Sequence, residues 1–202
     1  MLIDALAASG FSASRIDLAD LSANSGVRCV VCLACHEDLR LFRRVNQMCR
    51  ERDIPWLRVI IEPERVRVGP LFVHGDTPCY DCLITRSVSA SPCANEYVEY
   101  LRAGDALSEE PVQSYLTGGA YFVSGLISVE LVKYATGIAG VRTIGCEIDV
   151  DLLTLETKLH PVLRVPPCGV CGSGPFFSST HRTDPDGDTP GGDSKNGDRS
   201  AN

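Results

Sequence analysis

The sequence predicts an α/β fold, and three observations carry that expectation. The chain from Met1 to Gly172 alternates strand-like with helix-like stretches. The run Val27-Arg28-Cys29-Val30-Val31-Cys32-Leu33-Ala34 is almost continuously apolar, as expected of a strand buried on both faces in a parallel sheet. Directly after it, from about Asp38 to Arg52, Leu39, Phe42, Val45, Met48 and Cys49 recur at spacings of three and four, the period of a helix with one buried face.

The elements then follow in order. On the helix just described, Arg40, Arg43, Arg44, Arg50 and Arg52 fall outside the apolar stripe and read as a solvated face. Trp56 to Glu62 is a second strand and Arg65 to Val73 a third, with Gly69-Pro70 as a bend. Gly75-Asp76-Thr77-Pro78 is a turn that delivers Cys79. A short helix is expected from Ala94 to Leu101. A long apolar one should run from about Pro111 to Thr136, with proline in its first turn and Gly137 as its stop signal. Gln113, Glu130 and Lys133 interrupt it, so it is not a membrane span, and Gly118, Gly119 and Gly125 suggest close packing against a neighbour. Thr143 to Val150 and Leu152 to His160 read as a hairpin turning at Asp149-Val150-Asp151.

The division is therefore one domain over residues 1–172 and a tail over 173–202. The tail carries Asp184-Pro185-Asp186-Gly187-Asp188 and Pro190-Gly191-Gly192-Asp193, with no large aliphatic or aromatic side chain after Phe177. It cannot bury enough apolar surface to offset its ordering entropy, so disorder is expected there.

A chain of 202 residues with 44% hydrophobic content can build a sizeable core. Its net charge of -7 and pI near 5.1 argue against a nucleic-acid footprint. Asp4 and the short run Ala5-Leu6-Ala7-Ala8 provide neither the basic start nor the long apolar core of a signal peptide, so a cytoplasmic location is expected. Ten cysteines in a reducing compartment point to free thiols and metal ligation rather than a disulfide framework.

Two cysteine pairs carry the chemistry: Cys79-Tyr80-Asp81-Cys82 and Cys168-Gly169-Val170-Cys171. Each follows a proline, Pro78 or Pro167, and the second is trailed by Gly172, so the backbone can fold round a metal and aim amide hydrogens at sulfur. Four such thiolates make a closed tetrahedral zinc site. The pairs stand too far apart for a local ribbon, so the fold has to bring them together; the alternative is four ordinary reduced cysteines in loops. The triplet Cys29, Cys32 and Cys35 does not suit an iron–sulfur cluster. On a strand Cys29 and Cys35 face one way and Cys32 the other, which fits core cysteines.

Taken in order, these features resemble the ThiF/MoeB family, the ubiquitin-activating-type adenylating proteins, over roughly Val27 to Gly172. The series runs apolar strand, Cys35-His36-Glu37-Asp38, helix with Val45-Asn46-Gln47-Met48-Cys49, strand, Gly-Pro hairpin and C-x-x-C. A glycine-rich helix ending Val129-Glu130-Leu131-Val132-Lys133, a hairpin and the second C-x-x-C complete it. Within that family the stretches Val68 to Leu83 and His160 to Gly172 look most like the ThiF-like cyclodehydratase subunits of thiazole/oxazole-modified peptide biosynthesis. The fold implied is a truncated Rossmann-like ThiF-type domain with a structural zinc knuckle, Cys79, Cys82, Cys168 and Cys171, and a C-terminal β-hairpin.

Adenylating members cradle ATP phosphates in a glycine-rich turn after the first strand. Met1 to Gly26 offers only Gly10 and Gly26 and no G-x-G-x-x-G, so ATP is not expected on this chain. The place of the family's metal-binding aspartate is taken by Glu37, with Asp38 beside it, and its helix arginine is replaced by Phe42. Glu37 is expected at a solvent-facing strand end or as a helix cap. Thiol-transferring relatives carry a reactive cysteine after the first zinc pair, and Cys93 stands in about that place. No Arg or Lys adjoins it and Glu96 opposes a lowered pKa, so an inert surface thiol is the plainer reading.

The resemblance implies a non-catalytic accessory subunit in bacteriocin-type peptide tailoring. It would present the precursor peptide to a YcaO-type partner and activate that partner, which uses ATP to form azolines. Leader peptides are usually gripped by an N-terminal winged-helix module. Met1 to Gly26 is too short to hold one, so a separate leader-binding protein or further upstream coding sequence is expected. The glycine-lined face of the helix Pro111 to Thr136 is the expected homodimer surface. Two other classes of function stay open: an adenylyl or sulfur transferase acting on a carrier protein through Cys93, and a scaffold with no catalysis.

Overall fold

Among the described residues five strands form one sheet, neighbours in the sheet following chain order, with helices on both faces. The computed structural model describes residues 1–22, 26–104 and 116–172; the expected tail and the Pro111 end of the long helix lie outside them. The elements are α1 (Leu2–Ala8), β1 (Val30–Ala34), α2 (Leu39–Glu51), β2 (Trp56–Ile61), β3 (Arg65–Phe72), α3 (Tyr80–Ala90), α4 (Ala94–Gly104), α5 (Thr117–Thr136), β4 (Cys146–Asp151) and β5 (Thr157–Pro161). β1 and β2 are parallel and joined through α2, while β2, β3, β4 and β5 pair antiparallel.

Side-chain alternation along β2 divides the interior into two cores. Trp56 and Ile60 join Phe42, Val45, Phe72, Tyr80 and Leu83 beneath α2 and α3. Leu57 and Val59 join Val66, Val68, Val123, Ile127 and Ile148 beneath α5. α2 forms as expected, because its three–four spacing places Leu39, Phe42, Val45 and Cys49 on the first core. Asp38 caps it, accepting a hydrogen bond from the Leu41 amide at 2.8 Å.

Three expectations are corrected. The apolar run at 27–34 is not a strand buried on both faces: only Val30–Ala34 is extended, its residues are half-buried, and Leu33 is exposed. Its continuity arises because Cys29 and Val31 pack against one core and Val30, Cys32 and Ala34 against the other. Among the described residues no strand pairs with its outer edge.

The long helix is described from Thr117, where Leu116 before it is extended; the expected start at Pro111 lies outside the described residues. It ends as expected at Gly137, which adopts φ 66° and donates to the Lys133 carbonyl. Of its glycines only Gly119 is tightly packed, where a Cβ would lie 2.7 Å from Leu152 Cδ1; Gly118 and Gly125 face open space. No described helix is long and apolar enough to cross a membrane.

The hairpin turns later than expected, at residues 152–156. Asp149 and Asp151 lie in β4, and the Asp151 carboxylate accepts from the amides of Leu153 and Thr154 at 2.8 and 2.9 Å, which starts the turn. Asp149 stands directly across the ladder from Arg67 on β3, but its carboxylate pairs with the diagonal neighbour Arg65. It accepts from Arg65 Nε at 2.7 Å and lies 3.3 Å from His160 Nε2. Burial works against its charge, but Arg65 and His160 win, and the carboxyl is held below its ordinary 3.8. Its stabilising contribution is therefore complete above the ordinary carboxylate range and lost as pH falls through the lowered folded value. Asp149→Asn is expected to cost about 1–2 kcal/mol at neutral pH and to flatten the acid limb of a stability–pH curve from denaturant melts.

One element has no counterpart in the sequence reading: Tyr80–Ala90 forms α3, an eleven-residue helix that starts between the two cysteines of the first pair.

Candidate metal centre

Cys79 is the N-cap residue of α3 and Cys82 lies in its first turn, so the spacing of the pair is set by one helical turn. The chain is aimed there by Thr77, whose hydroxyl oxygen accepts from the Val73 amide at 2.8 Å. The second pair closes a tight turn of its own, in which the Cys168 amide donates to Val165 O and the Gly172 amide to Cys168 O at 2.8 Å. A Cβ on Gly172 would stand 2.4 Å from that Cys168 oxygen, so only glycine permits this closure.

The fold brings the two pairs together. Cys79 Sγ lies 3.8 Å from Cys82 Sγ and 3.6 Å from Cys168 Sγ, and Cys82 Sγ lies 3.3 Å from Cys171 Sγ; all four fall within 4.8 Å of one another. A disulfide would need about 2.0 Å. Tetrahedral Zn–S bonds of about 2.3 Å place neighbouring sulfurs about 3.8 Å apart, so the cluster is spaced for a single ion. Three of the four cysteines are buried and Cys168 is half-buried.

Backbone amides supply the electrostatics. The Val165 amide points at Cys82 Sγ at 3.4 Å, and those of Val170 and Cys171 at Cys168. Burial pushes the Cys82 thiol up to about 11 and raises Cys79 as well. Burial also opposes the Cys168 thiolate, but the two amides bring it down to about 7. The site therefore offers Cys168 as a ready thiolate near neutral pH, whereas a bound metal has to displace the protons of Cys79 and Cys82. The described residues contain no other metal-ligating cluster.

Two of the arginines expected on a solvated face instead hold the knuckles in place. Arg43 Nε donates to Asp81 Oδ1 at 3.1 Å, and Arg50 Nη2 to Val170 O at 2.7 Å, so α2 grips one knuckle with each. Nothing in the helical pattern separates these two from the rest; only the third dimension does. Cys29 and Cys32 pack against different cores, and burial pushes both thiols up to about 12, in keeping with core cysteines. Cys93 is exposed immediately before α4 and stands outside the cluster.

Glu37 departs from expectation. It is buried rather than solvent-facing, and the helix cap is Asp38. The signal for this lay in β2, where Arg58 sits in the middle of an apolar strand: a cation there has to meet a buried anion. Arg58 Nε donates to Glu37 Oε1 at 3.1 Å, and Nη2 donates to Glu37 Oε2. Phe42, at the place of the expected arginine, packs against Trp56 and Tyr80 and lies 5.5 Å from the Arg58 guanidinium. Asn46 uses its side-chain oxygen to accept from the Tyr80 amide at the start of α3.

No family model matches the sequence, and no curated protein matches it. Solved structures do. The heterocyclase TruD superposes with a TM-score of 0.65 over 85% of this chain at 24% identity. E. coli MccB gives 0.58 over 81% at 19% identity. The chain has the ThiF-type fold. A heterocyclase in complex with substrate and cofactor gives a TM-score of 0.61 over 85% of the chain at 23% identity, covering 23% of that protein. This ThiF-type chain spans 44% of MccB and 25% of TruD, so it corresponds to less than half of either. As the resemblance implied, the ThiF-type sheet ends in a β-hairpin, β4 and β5, and the second cysteine pair follows it in the chain.

Proposed function

We propose that this chain is an accessory ThiF-like subunit of an azoline-forming cyclodehydratase. It presents a precursor peptide to a YcaO-type partner, which spends ATP to cyclise Cys, Ser or Thr residues, and it activates that partner, as in bacteriocin biosynthesis. The observation that carries this reading is the superposition on the heterocyclase TruD over 85% of the chain. The MccB structures add support: one contains SeMet MccA, so a protein of this fold engages a peptide. In this reading the metal at Cys79, Cys82, Cys168 and Cys171 is a structural zinc ion, and the chain works in the cytoplasm. A homodimer would use the outer face of α5, where Leu116, Tyr121, Phe122 and Val129 are exposed.

Reconstitution tests it. A YcaO-type enzyme with its precursor peptide should lose water from Cys, Ser or Thr residues, one molecule per ring, in an ATP-dependent reaction read by mass spectrometry. Adding this chain should raise that rate by an order of magnitude or more; equal rates with and without it would reject the accessory role. The exposure of Cys93 favours one second reading, transfer to a carrier protein through that thiol. It requires ATP–pyrophosphate exchange by this chain and loss of transfer in Cys93→Ala.

A further inference from the structure

In an open α/β sheet, ligands bind in the crevice beyond the carboxyl ends of the parallel strands. Here that position follows β1, in the loop Cys35-His36-Glu37-Asp38 that leads into α2. A carboxylate there is the group that would hold a magnesium ion and, through it, a nucleotide. The geometry of Glu37 can be tested against such a ligand.

Glu37 has no oxygen to spare. Oε1 accepts from Arg58 Nε at 3.1 Å and from the Tyr80 hydroxyl at 2.7 Å. Oε2 accepts from Arg58 Nη2 and lies 3.6 Å from Arg67 Nη1. The guanidinium is itself fixed on its far side, where Nη1 donates to Gly69 O at 3.1 Å and to Glu147 Oε2 at 2.5 Å. Glu37 is 4% exposed and Arg58 1%. Magnesium demands near-octahedral oxygen ligands at about 2.0–2.1 Å and retains several waters, and neither the room nor the free lone pairs exist here. A second cation placed beside Arg58 would also meet like charge in a poorly solvated site.

We propose that Arg58 is a built-in counter-cation: it permanently occupies the Glu37 carboxylate and closes the crevice at the end of β1 to magnesium and to magnesium-bound nucleotide. The same carboxylate takes the hydroxyl of Tyr80, which stands between Cys79 and Cys82, so a position suited to holding a ligand ties the first knuckle to the sheet instead. This inference stands on the geometry of Glu37 and does not depend on the biosynthetic role proposed above.

The test uses the full chain loaded with zinc, with Mn2+ as a paramagnetic probe and Mg·ATP titrated calorimetrically. Wild-type protein is expected to show no saturable Mn2+ site and no Mg·ATP binding in the low millimolar range. Arg58→Met should gain a Mn2+ site at least tenfold tighter than any in the wild type, and Glu37→Gln combined with Arg58→Met should lose it again. A saturable wild-type site that Glu37→Gln abolishes would overturn the proposal, as would a folded Arg58→Met protein with no gain. Should Arg58→Met fail to fold, the charge-free pair Glu37→Met/Arg58→Met takes its place beside the wild type. Equal absence of a site in both supports the proposal, and a site present only in the wild type overturns it.

Discussion

Replacing any one of Cys79, Cys82, Cys168 or Cys171 by serine is expected to yield protein that fails to fold stably, rather than a folded protein with an isolated loss of activity. The cluster is what fastens residues 162–172 to the body. β5 is exposed along its whole length and, among the described residues, pairs only with β4. Beyond it, the segment is held by Val162 in the first core, by hydrogen bonds from the Val162 amide to Gly145 O, Arg86 to Arg164 O, Arg164 to Gly75 O and Arg50 to Val170 O, and by the sulfurs. The small core round Cys79, Cys82 and Cys171 contains only Val165 and Cys168 besides, too little apolar surface to hold the pairs together alone. Structural zinc contributes roughly 10 kcal/mol or more of apparent folding free energy, comparable to the whole stability of an ordinary domain. Metal analysis should find one zinc per chain in the wild type and much less in each serine variant, and thermal melts should show the cooperative transition lost. A serine variant that melts at the wild-type temperature, or a wild type that keeps its midpoint after chelation, would show that the sulfurs brace nothing.

The parts of this site that could be read from the sequence are those with a local signature. A C-x-x-C pair with a proline before it or a glycine after it shows its geometry within a few residues, and the contact of Gly172 with Cys168 O confirms why glycine is required. α2 was legible because its stripe is long. α3 was not: its stripe is short, Tyr80, Leu83, Ile84 and Val88, and its second half is otherwise polar or small, with Thr85, Arg86, Ser87 and Ser89. β1 misled for the opposite reason, since two cores that each claim alternate residues give an edge strand the continuous apolar run of a central one. Glu37 was misread because its partner lies on another strand; Arg58 was the visible half of the pair, and the rule that a buried charge needs a counter-charge connects them. Arg43 and Arg50 look like any other arginine until the knuckles are in place.

Trp56→Ala is the second large effect expected, and it should be read at the metal as well as in the core. Trp56 is 1% exposed and packs against Phe72 at 4.5 Å, Phe42 at 6.1 Å and Tyr80 at 6.2 Å between ring centroids. Truncating a buried tryptophan to alanine costs about 3–5 kcal/mol through lost burial and the cavity left behind. Tyr80 is flanked by two cysteines of the cluster, so the aromatic stack and the first knuckle share a residue, and a folded stack is part of a formed site. Metal binds the folded chain in preference to the unfolded one, which couples the two equilibria. If the metal-free chain is largely unfolded, the cost of Trp56→Ala appears as weaker apparent zinc affinity, by about two to three and a half orders of magnitude at 1.4 kcal/mol per factor of ten. If the metal-free chain folds, the cost appears instead in the melting temperature of both forms, with zinc affinity little changed. Competition with a chelator of known affinity, run beside thermal melts of the metal-free protein, separates the two. Trp56→Phe, which keeps most of the stack, should recover most of whichever quantity is lost.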